Sequence, residues 1–392
     1  HRARNTATSQ GPYSACGWSH RIGYHDGHHH QSNRRARVMT APESSADSNA
    51  SGATEFVVHA PARLHLGFVD LNGELGRRFG SIGLAIDGLA TRVRASAAPR
   101  LAVDCADGEA ARITELLTRL CERHAPGRAV RVVVEATAPA HAGLGSGTQL
   151  ALAVAHAASR ALGVAVPLRE LATLSERGQR SGIGIAAFEG GGFVIDGGRG
   201  ARTATPPLLA RLRFPAEWRC VLLFDEAVEG LSGQRERAAF ATLARMSETV
   251  AGALARQVLV GLMPALAERD FDGFARAVGA VQVANGEYFA PAQGGSYTSA
   301  RVADSLAAVV REFGLTGIGQ SSWGPTGFVF APDAACAAAV ASFLDARKAE
   351  GLRCQIVTGN NVGARCGLRG EFDVDPPSAD PVWLIPHQRR GS

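Results

Sequence analysis

The run Pro139-Ala140-His141-Ala142-Gly143-Leu144-Gly145-Ser146-Gly147 follows a strand-like stretch and opens a long apolar one. Its small residues let consecutive backbone N–H groups converge on an anion, and a helix starting there adds the positive end of its dipole. Phosphate is the ligand such a loop takes, although a tight strand-to-helix turn with no ligand uses the same glycines. The dinucleotide fingerprint GxGxxG is excluded, because Thr148 stands where its last glycine belongs. A Walker A loop and a pyridoxal Schiff base are excluded by lysine usage. Lys348 is the chain's one lysine, and its polar run Asp345-Ala346-Arg347-Lys348-Ala349-Glu350 reads as a solvated helix face.

The elements that must position the loop follow from apolar periodicity. Residues 56–60, 81–87, 90–95 and 129–135 read as strands, with a helix over 110–123 between them. The loop then leads into a helix over 148–162, closed by Gly163. A helix is predicted over 167–177, then a glycine-punctuated segment over 181–192, a strand at 193–196 and another at 218–224. Helices are predicted over 236–246, 249–268, 271–283, 301–313 and 334–349, with a hairpin around Gly324-Pro325 and a last strand at 353–358. The fold class is α+β, with mixed sheets and packed helices. Residues 55–235 form one domain and 236–370 a second, flanked by tails at 1–54 and 371–392.

The composition permits this. Of 392 residues 46% are hydrophobic and 20% charged, enough for two compact domains and too apolar for a disordered chain. The formal charge of +5 is concentrated at the start: residues 1–54 hold six arginines against three acidic residues, leaving the remainder near +2. No basic stripe interleaved with aromatics appears, so no nucleic-acid partner is predicted. Residues 1–54, with His28-His29-His30 and Arg34-Arg35, lack periodicity and are predicted disordered; the histidine run has no fixed geometry for a metal. Met39 is the expected natural start, and the arginine-rich stretch before it lacks the apolar face of a transit peptide. Seven scattered cysteines without a CxxC spacing indicate neither a disulfide framework nor a zinc ribbon, and a reducing cytoplasm is the expected compartment. No membrane partner is predicted, since the most apolar run, 257–267, is bracketed by Arg256 and Glu268.

Pro139-x-x-x-Gly143-Leu144-Gly145-Ser146-Gly147 closely resembles the PxxxGLGSS phosphate loop of the GHMP kinase superfamily. Ala60-Pro61-Ala62-Arg63-Leu64-His65-Leu66-Gly67 is similar to that superfamily's first motif, and Gly317-Ile318-Gly319-Gln320-Ser321-Ser322-Trp323-Gly324-Pro325-Thr326 falls where its C-terminal glycine motif lies. Order and spacing extend over residues 56 to 365, implying a GHMP-kinase-like two-domain fold. Kinases of the superfamily carry SGxD, whose aspartate orients or deprotonates the acceptor hydroxyl. The matching run here is Ser181-Gly182-Ile183-Gly184, so phosphoryl transfer by that route lacks its base unless Glu189 or Asp70 replaces it. Arg63-x-His65, Asp70-Leu71-Asn72-Gly73, Gly76-Arg77 and Gly319–Pro325 resemble one branch in particular, β-ribofuranosylaminobenzene 5′-phosphate synthase. Gly147-Thr148-Gln149 departs from the commoner Ser-Ser-Ala type of loop ending, which loosens the register of the phosphate contacts.

The resemblance implies an enzyme that joins 5-phosphoribosyl-1-pyrophosphate (PRPP) to 4-aminobenzoate or 4-hydroxybenzoate, releasing pyrophosphate and carbon dioxide on the route to methanopterin-type one-carbon carriers. It implies Mg²⁺, neither a redox cofactor nor pyridoxal phosphate, and is compatible with a homodimer. For the departing pyrophosphate the candidates are Gly143, Leu144, Gly145, Ser146, Gly147 and Thr148, with the guanidinium forks of Arg63 and Arg77. Arg77 and Arg78 read as a surface pair or, followed by Phe79-Gly80 in a glycine-rich loop, as groups suited to an anionic ligand. Asp70 is either the carboxylate of the turn at Asn72-Gly73 or a ligand of Mg²⁺ or countercharge to the ribose. His65 is either a buried strand histidine or an acid–base group near the para substituent. Gln320, Ser321, Ser322 and Trp323 are candidates to line an aromatic pocket, with Trp323 as plain core the other reading. Val221–Glu226 imitates the acidic pair of ordinary phosphoribosyltransferases, but Gly230-Leu231-Ser232-Gly233 lacks their threonine-rich phosphate loop. Two further readings are an ATP-dependent small-molecule kinase and a non-catalytic phosphate-ligand binding module.

Overall fold

The computed structural model describes residues 54–106, 108–230, 233–347 and 351–372. The predicted tails, apart from residues 54, 371 and 372, and Lys348 lie outside the described residues. The first strand is far longer than its apolar start suggests. β1 (Glu55–Asp70) pairs antiparallel with β2 (Arg77–Ala98) and absorbs Pro61, which has no N–H to give the ladder, as a register shift between Ala60 and Ala62. The shift sets two residues of β1 against five of β2, and the even-numbered positions on either side of it enter different cores. Val58 and Ala60 lie in the core that includes the loop-following helix, whereas Ala62, Leu64, Leu66 and Phe68 enter a central core. Arg63 and His65 are the alternate positions of this second stretch. β2 likewise runs unbroken where its alternation reads as two strands.

After β3 (Ala102–Asp104) and α1 (Ala110–His124) comes β4 (Ala129–Ala136), which leads through the glycine loop into α2 (Ser146–Ala161). α3 (Leu168–Leu174) is followed by α4 (Ile183–Gly190), a helix built from the glycine-punctuated segment. Glycines disfavour a helix there, but Ile183, Ile185, Ala186, Ala187 and Phe188 are buried, and tertiary burial overrides propensity. Asp196 anchors its start, accepting from the Gly182 N–H at 2.8 Å and the Ser181 hydroxyl at 3.2 Å; burial raises the pKa of this carboxyl. β5 (Phe193–Asp196), β6 (Arg199–Gly200) and β7 (Leu208–Leu212) complete this half of the chain.

β8 (Arg219–Asp225) belongs to the second sheet. The helices that follow are α5 (Gly233–Thr242), α6 (Glu248–Arg256) running through a π turn (Gln257–Leu262) into α7 (Met263–Glu268), α8 (Phe271–Gln293) and α9 (Ala300–Phe313). β9 (Ile318–Gln320) and β10 (Gly327–Ala331) form the expected hairpin, then α10 (Ala334–Ala346), β11 (Leu352–Val357), β12 (Arg365–Leu368) and α11 (Arg369–Phe372) close the described chain. The sheet orders are β12-β1-β2-β4-β3, with β5 and β6 also on β2, and β11-β8-β10-β9. A division at residue 235 therefore does not follow the sheets: β8 precedes it and β12 returns to the first sheet against β1. The central core unites both halves, with Leu64, Leu84 and Phe193 packed together with Phe274, Phe328 and Phe330.

The helical run Glu248–Glu268 has 21 residues and a mean hydropathy of 1.6, long and apolar enough to cross a membrane by length and composition. This exceeds the 257–267 limit read from sequence. Its Ala251, Leu254, Val258, Leu262 and Leu266 are buried in the central core.

Candidate active site

Three segments distant in sequence meet at one serine. Ser321 Oγ accepts the His65 N–H at 3.0 Å and donates to the Gly143 carbonyl at 2.7 Å, while the Ser322 N–H donates to the His65 carbonyl at 3.1 Å. β1, the glycine loop and the 321–326 turn are thereby locked together. The loops touch backbone to backbone: a Cβ on Gly143, which has φ +80°, would be driven into the Ser321 carbonyl oxygen.

The start of α2 leaves backbone donors open. α2 has Gly145 at its N-cap, in left-handed conformation and without a side-chain cap, so its leading N–H groups are not spent on a capping oxygen. Arg63 lies directly beneath. Its backbone N–H donates to the Leu144 carbonyl at 3.0 Å and its Nη1 to the Gly143 carbonyl at 2.6 Å, while its buried Nε has no partner. Burial lowers the Arg63 pKa to about 10, partly opposed by Glu236, which leaves the side chain cationic at neutral pH.

Next to this cradle stands His65, 3% exposed. Its Nδ1 accepts the Gly67 N–H at 3.3 Å, which assigns the ring proton to Nε2, and that buried Nε2 has no partner. Burial first, then Arg63 and Arg180, hold its pKa well below 6.5. His65 is thus a neutral imidazole presenting a hydrogen-bond donor. Its ring lies 4.6 Å from Phe68, and Phe68, Phe79, Phe240, Phe289 and Trp323 interlock at centroid distances from 4.4 to 6.0 Å. Trp323 Nε1 is a second buried donor without a partner. Phe79 and Phe240 are half-buried, so the cluster is accessible on that side. Phe79 holds φ +84°, and Ser322 φ +57°, a left-handed conformation uncommon outside glycine and strained for a ring-bearing residue; such strain gathers at functional sites. Arg180, paired with Glu236, lies 5.5 Å over the Phe240 ring.

The remaining sequence candidates are placed differently. Gln320 is engaged in the scaffold: its side chain bonds the Thr298 N–H, Gln293 and the Ser322 carbonyl, and its N–H donates to Gln282. Asp70 lies five residues beyond His65, as the register partner of Phe79. Its Oδ1 accepts the N–H groups of Asn72 at 2.7 Å and Gly73 at 3.1 Å, which is the turn reading. Arg77 spends Nε and Nη2 on the Gly197 and Gly198 carbonyls at 2.8 and 2.9 Å. It lines an open cavity of about 710 Å³ with Arg123, Arg169 and Arg202, to which no glycine-loop residue contributes. Glu189, the replacement base considered for a kinase, stands at the far end of α4 from Gly184 and pairs with Arg211 at 3.1 Å. A Cβ at position 184 would crowd the Thr148 side chain, standing 3.1 Å from its Cγ2.

Sequence reasoning missed Phe68, Phe79, Phe240, Phe289 and Arg180. Arg180 directly precedes Ser181-Gly182 and was within reach, whereas the phenylalanines carry no signal that separates them from core.

Comparison with known proteins agrees with this geometry. The family described as GHMP kinases N terminal domain matches residues 111–192, and that described as GHMP kinases C terminal matches residues 262–350. The beta-ribofuranosylphenol 5'-phosphate synthase of Methanothermobacter thermautotrophicus is 32% identical over 291 residues, 69% of this chain and 87% of that protein. Among solved structures, homoserine kinase from Cytophaga hutchinsonii superposes with a TM-score of 0.59 at 18% identity, covering 83% of this chain and all of the kinase. A complex described as MDDEF with MVAPP, AMPPCP and magnesium superposes at 0.58 with 17% identity, covering 81% of this chain and 100% of that one. These structures establish the shared fold. The extent and identity of the match to the archaeal synthase go further: the chain belongs to the beta-ribofuranosylphenol 5'-phosphate synthase family, within the GHMP kinase superfamily.

Proposed function

We propose that the chain joins the anomeric carbon of PRPP to the carboxyl-bearing ring carbon of 4-hydroxybenzoate, releasing pyrophosphate and carbon dioxide in methanopterin biosynthesis. One observation carries the reading: an uncapped glycine cradle over Arg63 adjoins an aromatic cluster holding two unpartnered N–H donors, with no carboxylate at position 184. The name of the archaeal relative, a ribofuranosylphenol phosphate synthase, supports it.

The C1–O bond breaks with its electron pair going to pyrophosphate, whose charge the leading amides of α2 and Arg63 hold. The acceptor ring lies against the phenylalanines and Trp323. His65 Nε2–H and Trp323 Nε1–H offer donors only, which favours an ionised para oxygen, the strongest electron donor to the ring carbon opposite. Attack by that carbon on C1 forms the C–C bond and a dienone. The bond to the carboxylate then breaks, its pair returns to the ring, carbon dioxide leaves and the phenolate is restored. An aryl amine, with its lone pair delocalised, is a poor partner for two donors, so a hydroxyl is the better fit. His65 acts here as a donor held neutral, not as a proton-exchanging base.

The described residues form no all-protein cage for magnesium. Among the described residues no group of three or more His, Cys, Asp or Glu side chains could hold a metal ion, and Asp70 already caps its turn. A magnesium ion would arrive on the diphosphate.

The test incubates the protein with Mg²⁺, PRPP and carboxyl-labelled 4-hydroxybenzoate or 4-aminobenzoate. Volatile label and pyrophosphate, faster with the hydroxy acid, are expected. Release of neither, with ATP consumption dependent on an alcohol, would replace this reading with the kinase.

A further inference from the structure

We infer that Arg177 is a second phosphate-binding side chain, facing Arg63 across the glycine loop. The inference rests on the reading that this loop holds the diphosphate of PRPP. A Cβ on Gly147, the second residue of α2, would stand 3.4 Å from Arg177 Nη2 and 3.5 Å from Nη1, so the guanidinium lies in van der Waals range of the helix start. Two residues earlier, a Cβ on Gly145 would stand 3.0 Å from the Arg63 side chain. The cradle is therefore flanked by one guanidinium at Gly145 and another at Gly147.

The backbone fixes Arg177 there. α3 ends in a left-handed Glu176, φ +56°, with the Glu176 N–H bonded to the Thr173 carbonyl at 3.0 Å and the Arg177 N–H to the Ala172 carbonyl at 2.8 Å. Gly178 follows against α4, where a Cβ would meet Ile185 Cδ1 at 2.7 Å. A side chain on so rigid a turn arrives pre-positioned.

Its partners are what is missing. Arg177 is partly buried, and its Nε is buried without a hydrogen-bond acceptor. Burial and the charge of Arg112 lower its pKa, only partly opposed by Glu109 and Glu176. A partly buried cation left this way is compensated when an anion docks beside it. With Lys348 the chain's only lysine, arginine is the residue left to do this, and its planar fork suits two phosphate oxygens.

Arg177→Gln and Arg177→Lys are to be compared with wild type and with Arg169→Gln, an exposed neighbour on α3. Calorimetry with pyrophosphate alone, the KM for PRPP, the KM for 4-hydroxybenzoate and Tm are the readouts. Arg177→Gln is expected to weaken pyrophosphate binding about tenfold, ~1.4 kcal/mol, and to raise the KM for PRPP comparably. The KM for 4-hydroxybenzoate should stay within about twofold, with Arg177→Lys intermediate. A merely structural role would lower Tm and kcat without touching pyrophosphate affinity. Folded Arg177→Gln binding pyrophosphate as wild type does overturns the inference alone. Wild type that neither binds pyrophosphate nor turns over PRPP overturns both the inference and the reading beneath it.

Discussion

Three glycines in one loop should respond to alanine in three different ways. Gly147 lies within α2 in ordinary helical conformation, and its new Cβ would make normal contact with Arg177 at 3.4 Å. Gly147→Ala therefore keeps the fold and gains up to about 1 kcal/mol of helix preference. Gly145 sits at φ +75°, and its Cβ would come within 3.0 Å of Arg63 Cγ and Nε. The left-handed conformation costs alanine roughly 1–2 kcal/mol. The flexible Arg63 head can give way, at the expense of its bond to the Gly143 carbonyl. Gly145→Ala should thus fold, be about 2 kcal/mol less stable, and bind pyrophosphate weakly. Gly143 has no such outlet, because the atom in its way is the Ser321 carbonyl oxygen, which accepts the Gly324 N–H at 3.2 Å. Separating the two loops would also break the Ser321 hydroxyl bond to Gly143, so Gly143→Ala should lose roughly 4 kcal/mol or more. Urea denaturation and pyrophosphate calorimetry on the three variants are the assays. Gly143→Ala no less stable than Gly145→Ala, or Gly145→Ala with wild-type pyrophosphate affinity, would refute the crossing-loop account.

Two further outcomes follow from the aromatic side of the site. Trp323→Phe retains the ring and removes only the Nε1 donor, so turnover of 4-hydroxybenzoate should drop about tenfold, one charge-assisted hydrogen bond's worth, while any 4-aminobenzoate turnover changes little; equal losses with both acids would mean Trp323 serves as packing alone. His65 should make the protein acid-sensitive. Its folded pKa is depressed below the unfolded value near 6.5, so the unfolded chain binds the extra proton. Stability is full above that pH and falls below it, by at most ~1.4 kcal/mol per pH unit for one group. The stability difference between wild type and His65→Gln, followed by denaturation from pH 7.5 to 5, should shrink as pH falls. A difference that stays constant would mean His65 titrates normally.

What was legible in the sequence was whatever is contiguous. The glycine loop, Arg63-x-His65 and Ser321-Ser322-Trp323 each lie in one short run, and all three converge on Ser321 Oγ. Asp70 and Arg77 also lie in short runs. Asp70 Oδ1 is answered locally by the amides of Asn72 and Gly73, and Arg77 Nε and Nη2 by the carbonyls of Gly197 and Gly198, bonds that a sequence does not show. The aromatic cluster was illegible for the opposite reason. Phe68 and Phe79 come from the first two strands, Phe240 and Phe289 from helices far downstream, and each alone looks like core. In the fold, α4 was hidden by its glycines and the length of β1 by Pro61, both cases where burial and a bulge outweigh local preference.

On the proposed chemistry, the loss of a carboxylate at position 184 has a positive role. A cation-like ribose beside a departing pyrophosphate is open to water as well as to the ring carbon, and a carboxylate poised over it would activate water as readily as it activates an alcohol in a kinase. Gly184 packed on Thr148 removes that base, and the five aromatic rings leave few acceptors to orient a water molecule. The two unpartnered donors, His65 Nε2–H and Trp323 Nε1–H, cannot take a proton from water either. Carbon is then the nucleophile the site leaves available. If so, PRPP offered without an aromatic acid should release pyrophosphate far more slowly than with it. Rapid pyrophosphate release in the absence of acceptor would show that water is not held out.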